Sequence, residues 1–101
     1  MNQGKAMSLI GLAMKAGKVA SGEFSTEKAV KEGKAKLVIV AEDASENTKK
    51  KFINMCTYYE VPYFLLGSKI QLGNAIGKEF RASLAIIDGN LARAISKQIV
   101  E

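Results

Sequence analysis

The chain is expected to fold as a layered α/β protein with mainly parallel strands, and three observations point there. Apolar runs of strand length recur at LVIVA (37–41), PYFLL (62–66) and LAIID (84–88), each nearly unbroken by polar residues, as in strands covered on both faces. Segments with helical spacing of apolar residues lie between them, so strands and helices alternate. A chain of 101 residues that is 48% hydrophobic supports one domain, 1–101, with one core.

The elements follow in order. At the N-terminus, Met7, Leu9, Ile10, Ala13 and Met14 can face a core while Gly4, Ser8, Gly11 and Lys15 fall on the other side, which predicts an amphipathic helix. A short strand is expected at 19–21, followed by Gly22 and a second helix from Glu23 or Phe24. After the run at 37–41, Asp43 and Glu46 form a capping-box-like pair that opens a helix with Phe52, Met55, Cys56 and Tyr59 as its apolar stripe. Ser68 and Gln71 have the same spacing and open a short helix that ends near Gly77. A last helix from about Asn90 carries Leu91, Ile95 and Ile99 on one face. Phe52, Tyr63 and Phe64 fit core positions, whereas Phe24 and Phe80 fall beside Gly22 and Gly77.

Charge narrows the function. Fifteen Lys and Arg against ten Asp and Glu leave +5, a balance suited to an anionic partner. The excess is uneven: seven basic and three acidic residues in 1–36, three and four in 37–66, five and three in 67–101. With no histidine, the usual general base and the commonest metal ligand are both missing. The single Cys56 cannot make an internal disulfide, sits on an apolar stripe and has no histidine to activate it; core packing and a reducing, cytoplasmic setting account for it. No apolar run approaches the roughly 20 residues of a membrane span.

Several suggestive stretches fail on chemistry. GLAMKAGKV has one residue too many between its glycines for a phosphate loop and no Ser or Thr after Lys18, and GNAIGKEF is too short. AEDASEN lacks the spacing of a calcium loop. In the triplet Lys49, Lys50, Lys51 successive side chains point about 100° apart on a helix, which predicts a solvated surface and no single binding face. Neither cofactor nor metal is expected.

The stretch SGEFSTEKAVKEG is different. Gly22 stands where an extended segment turns into a helix, and a helix N-terminus presents free N–H groups to phosphate oxygens or base acceptors. Lys28 lies one turn on, and Lys15 and Lys18 lead into the turn. Exposed i,i+4 pairs, Glu27 with Lys31 and Lys28 with Glu32, are the plainer explanation of the same lysines.

Taken with VPYFLLGSKIQLGNAIGKEFRASLAII, this stretch resembles the kink-turn-binding ribosomal-protein family, and most closely its short bacterial branch, the YlxQ-type ribosomal-protein-like proteins. The resemblance covers nearly the whole chain. It implies a three-layer α/β/α sandwich around a small four-stranded mixed sheet. It also implies a non-catalytic role: binding an RNA helix bent sharply at a bulge beside tandem sheared G·A pairs. In the family, the start of the second helix enters the widened major groove at those pairs, and the loop after the fourth helix covers the bulge. The matching positions are Gly22, Glu23, Phe24, Ser25 and Lys28 for the first, and Gly77, Lys78, Glu79, Phe80, Arg81, Ala82 and Ser83 for the second. Lys28 would donate to guanine acceptors, and Lys15, Lys18, Lys31, Lys78 and Arg81 would contact phosphates. Many family members carry Asn-Glu where this chain has Phe24 and Ser25, which alters the hydrogen bonds available to the guanines.

The implied partner is structured RNA with a kink-turn, in ribosomal RNA or a regulatory leader, bound by a monomer; neither DNA nor membrane is expected. The alternative is a protein-interaction or ribosome-assembly subunit with weakened RNA recognition, suggested by Phe24 and Ser25. An RNA-modifying enzyme ranks last, for want of an acid, base, nucleophile or cofactor site.

Overall fold

The computed structural model describes residues 1–101. Helix α1 (Gln3–Lys15) leads to strand β1 (Val19–Ser21), then α2 (Glu23–Lys31), β2 (Leu37–Val40), α3 (Glu46–Tyr59), β3 (Tyr63–Leu65), α4 (Lys69–Ala75), β4 (Ser83–Ile86) and α5 (Gly89–Val100). The four strands form one sheet in the order β1-β4-β2-β3. Helices α1, α4 and α5 pack together on one face, and α2 and α3 on the other. This is the three-layer arrangement around a mixed sheet.

The expectation of mainly parallel strands is corrected. Only β2 and β3 run parallel; β4 pairs antiparallel with both β1 and β2. The apolar runs are real, since every residue of β2 and β4 is buried. Continuous apolarity reports helices on both faces, and a central antiparallel strand so covered looks the same in sequence as a parallel one. At the sheet edge, β3 is only half-buried and Leu65 is exposed, although its run reads like the others.

Two details of α3 also differ. Its N-cap is Ser45, whose side chain accepts a hydrogen bond from the Thr48 N–H at 3.1 Å, and the Asp43–Glu46 pair is not a capping box. A turn closed from Ala44 N–H to the Ala41 carbonyl delays the helix. Asp43 instead accepts from the Lys69 N–H at 2.8 Å, so it caps the first turn of α4 from 26 residues away. Along the stripe, Phe52 and Cys56 are fully buried and Met55 is half-buried, while Tyr59 is exposed and packs edge-on against Tyr58. Burial pushes the Cys56 thiol up to about 11, which leaves it an inert packing group. The Ser68–Gln71 capping box is present with both of its hydrogen bonds.

One core of 23 buried hydrophobic residues joins the layers. Ala6, Ile10 and Ala13 give α1 its buried face. The Gly4–Ser8–Gly11–Lys15 side is not simply solvated, because a Cβ at Gly11 would stand 3.0 Å from the Ala75 carbonyl oxygen; the glycine lets α4 lie close. Gly73 does more. A Cβ there would stand 2.5 Å from Phe80 Cα and 2.6 Å from Phe80 N, so its absence is what seats the 77–82 loop against α4. On the other face, Glu27 of α2 meets Lys51 of α3 at 2.6 Å and Lys31 at 2.7 Å. Hydrogen bonds from Lys31 and then Lys51 hold its carboxyl down to about 2.

Gly73→Ala is therefore expected to cost about 1–3 kcal/mol of stability, since backbone must shift to admit the methyl group; thermal unfolding against wild type measures it. The Glu27 carboxyl titrates below its ordinary 4.5, so its contribution to stability is complete above that pH and disappears as pH falls through about 2. Melting temperatures of wild type and Glu27→Gln should accordingly differ at neutral pH and converge towards pH 2, with a smaller difference in high salt.

Candidate nucleic-acid interface

Gly22 follows β1 and is the N-cap of α2, with φ 92° and ψ 164°, a conformation that side chains strongly disfavour. Its N–H donates to the Ser83 carbonyl at 3.0 Å, which extends the β1–β4 ladder by one bond beyond the strand. Because glycine has no side chain, α2 has no side-chain cap. The N–H groups of Glu23, Phe24 and Ser25, which no helix start supplies with intrahelical acceptors, are left without a capping side chain as well and point out of the helix end. A Cβ placed on Gly22 would meet nothing within 4 Å, so this backbone borders open space.

The second segment arrives from α4. Gly77 turns the chain with φ 74°, Lys78 N–H donates to the Gly73 carbonyl at 2.8 Å, and Arg81 N–H to the Lys69 carbonyl at 2.9 Å. The loop then enters β4 beside β1. Arg81 Nε lies 3.4 Å from Ser21 Oγ, and its Nη1 donates to the Phe80 carbonyl at 2.7 Å. Beneath, Ser83 Oγ donates to Thr26 Oγ1 at 3.3 Å, with both residues fully buried. The result is a mouth with the first turn of α2 on one side and the 77–82 loop on the other.

Phe24 is 78% exposed and Phe80 57%, so one large aromatic ring stands free on each side of the mouth. Lys28 and Lys78 are exposed and have no carboxylate partner among the ion pairs of the chain. The two i,i+4 pairs of α2 thus separate: Lys31 is bound to Glu27, whereas Lys28 makes no bridge to Glu32, which pairs with Lys34.

Not every residue expected at the site gathers there. Gly22, Glu23, Phe24, Ser25 and Lys28 stand on one segment and Gly77, Lys78, Glu79, Phe80 and Arg81 on the other, and the hydrogen bonds that tie the two segments together are Gly22 N–H to the Ser83 carbonyl and Arg81 Nε to Ser21 Oγ. Ala82 is half-buried, and its carbonyl accepts from Ala41 N–H. Ser83 belongs to the floor, because its hydroxyl is buried against Thr26 and closed to a ligand. Lys15 lines the groove between α1 and α4 alongside Gly77. Lys18 stands at the far end of β1, where its carbonyl accepts from Ile87 N–H. Four residue steps of ~3.3 Å separate it from Gly22, so it does not join the turn it precedes in sequence. Sequence reasoning missed Thr26, Gly73 and Lys51; a glycine inside a predicted helix was the one usable signal, for Gly73.

No group of three or more His, Cys, Asp or Glu is placed to hold a metal ion. No helix is long and apolar enough to cross a membrane. The arrangement offers hydrogen-bond donors, cations and flat aromatic faces, and no acid–base pair or activated nucleophile.

Comparison with known proteins agrees with the architecture. Two curated proteins named RNA-binding protein YlxQ are similar to this chain: one from Enterococcus faecium, 48% identical over 104 residues and covering 100% of this chain and 99% of its own length, and one from Bacillus subtilis, 46% identical over 87 residues and covering 86% and 87%. The large ribosomal subunit protein eL8 of Thermoplasma volcanium is 31% identical over 97 residues, covering 95% of this chain and 80% of its own. Among solved structures, a protein with unknown function from Bacillus halodurans C superposes with a TM-score of 0.93 at 38% identity, covering 96% of this chain and 98% of that one. The Giardia lamblia 15.5kD RNA binding protein does so with 0.80 at 27%, covering 93% and 83%. Residues 4–96 match one family throughout, and with the glycine-capped α2 and the loop after α4 both inside that match, the chain belongs to the ribosomal protein L7Ae/L30e/S12e/Gadd45 family.

Proposed function

We propose that this protein binds RNA without catalysis and reads a kink-turn, with the mouth between α2 and the 77–82 loop as its binding surface. The observation that carries this reading is the uncapped start of α2, three free N–H groups beside the unpaired Lys28, facing a loop that presents Phe80. Family membership and the names of the relatives support RNA as the partner.

Chemistry favours a bent RNA over a regular one. An A-form helix buries its base edges in a deep, narrow major groove, so donors on a helix end reach them only where a kink opens it. Lys28 then donates to guanine acceptors, while Lys78 neutralises phosphate and positions the backbone. Phe80 supplies a stacking face for an unpaired base at the bulge. Arg81, tied to Ser21 and Phe80, holds the loop as well as adding charge. Phe24 and Ser25 replace the Asn-Glu of many family members, so backbone N–H groups carry a larger share of the recognition here.

The exposed Phe24 and Phe80 favour one second reading, a protein partner docked over the same mouth during ribosome assembly. A complex that survives ribonuclease and high salt would establish it.

Binding to a kink-turn RNA and to a matched duplex with Watson–Crick pairs replacing the sheared pairs, at two salt concentrations, tests the main reading. The kinked RNA is expected to bind more tightly at both; equal binding that collapses with salt would sink it. Lys28→Ala should weaken kink-turn binding roughly tenfold or more while affecting the duplex little. Arg81→Ala should weaken both and reduce the salt slope by about one.

A further inference from the structure

The structure assigns to Lys51, on α3, a part in RNA binding: it is the counter-charge that keeps Glu23 and Glu27 from repelling the phosphate backbone at the mouth. The inference rests on the mouth being an RNA site, and it adds α3, which holds none of the residues assigned to that site, as a third element of the surface.

Geometry singles out this lysine. Its Nζ lies 2.6 Å from Glu27 Oε1 and 3.9 Å from Glu23 Oε2, while Lys31 takes the other oxygen, Glu27 Oε2, at 2.7 Å. Each Glu27 oxygen thus has its own cation, and Lys51 is the only ion-pair partner of Glu23. The other two lysines of the triplet play no such part, since Lys49 pairs with Glu46 at 3.6 Å and Lys50 forms no ion pair. Of three adjacent lysines that sequence alone assigns to solvent, one is thus committed to α2.

Charge makes the commitment matter. On the two walls, Lys28, Lys78 and Arg81 are matched in number by Glu23, Glu27 and Glu79, three charges of each sign, so these side chains alone carry no net charge. Adding Lys31 and Lys51 brings the local balance to +2. Glu23 owns one of the free N–H groups and Glu27 lies one turn further along the same helix, and repulsion between their carboxylates and a phosphate bound at the helix start is felt over a Debye length, about 8–10 Å. Glu27 stays ionised at any pH where RNA binding is measured, since its carboxyl is held down to about 2.

The test compares wild type, Lys51→Ala, Glu27→Gln and the double variant on kinked RNA and on its Watson–Crick control, at low and high salt, with melting curves confirming that each is folded. Lys51→Ala is expected to weaken binding about 3- to 10-fold at low salt, mainly through slower association, and less at high salt. Glu27→Gln in that background should restore affinity to within about twofold of wild type, because it removes one carboxylate for the one cation lost and releases Lys31, which returns the local balance to its wild-type value. A double variant as weak as Lys51→Ala, with the salt slope reduced by about one, would show Lys51 touching phosphate directly and overturn the proposal. Wild-type binding by Lys51→Ala would overturn it too. A wild type that treats both RNAs alike refutes the kink-turn reading; restoration by Glu27→Gln is scored on each RNA separately, so the two failures are told apart.

Discussion

The position of β4 between β1 and β2 is the constraint on which the mouth depends. Its antiparallel pairing with β1 puts the Ser83 carbonyl opposite the end of that strand, and there it receives the Gly22 N–H. The same residue sends its hydroxyl under α2 to Thr26. Two hydrogen bonds at Ser83, one through backbone and one through side chain, thus fix where α2 starts and where the 77–82 loop must end. Ser83 is buried away from water, so leaving either group unpaired would cost the full desolvation of a polar atom.

Around that fixed point the protein uses absence as much as presence. Gly22 withholds a cap, so donors remain free; Gly73 withholds a Cβ, so the loop lies against α4; Gly11 does the same between α1 and α4. Charge is handled similarly. The first turns of α2 carry two acidic residues, which suit a helix N-terminus on dipole grounds but oppose an anionic ligand. Cations from α2 and α3 pair with those acids, Lys31 and Lys51 with Glu27 and Lys51 with Glu23.

Much of this was legible in the sequence because local signals and burial coincided. β1, the start of α2, the Ser68–Gln71 cap and the turn at Gly77 all follow from short-range chemistry. Strand direction did not, since LAIID carries no mark of its orientation, only of its burial. Asp43 misled for a related reason: an acidic residue three before a glutamate suits a cap, but its carboxylate is satisfied by a helix distant in sequence. The glycine turn before α2 and the glycine turn after α4 could be read directly as places where the chain changes direction. Lys18 could not be placed, because three strand residues carry the chain from there to the other end of the sheet. Lys51 and Thr26 were invisible since their roles are defined only by partners across the fold.

Roles defined across the fold also bear on how the protein is made. Ser21 and Arg81, which face each other at the mouth, are 60 residues apart in the chain, and Thr26 and Ser83 are 57 apart. No N-terminal portion contains both walls, so a growing chain has no mouth until β4 has been synthesised and inserted between strands made earlier. A ligand of that mouth would therefore recognise only the finished sheet, and by mass action would draw the chain towards it.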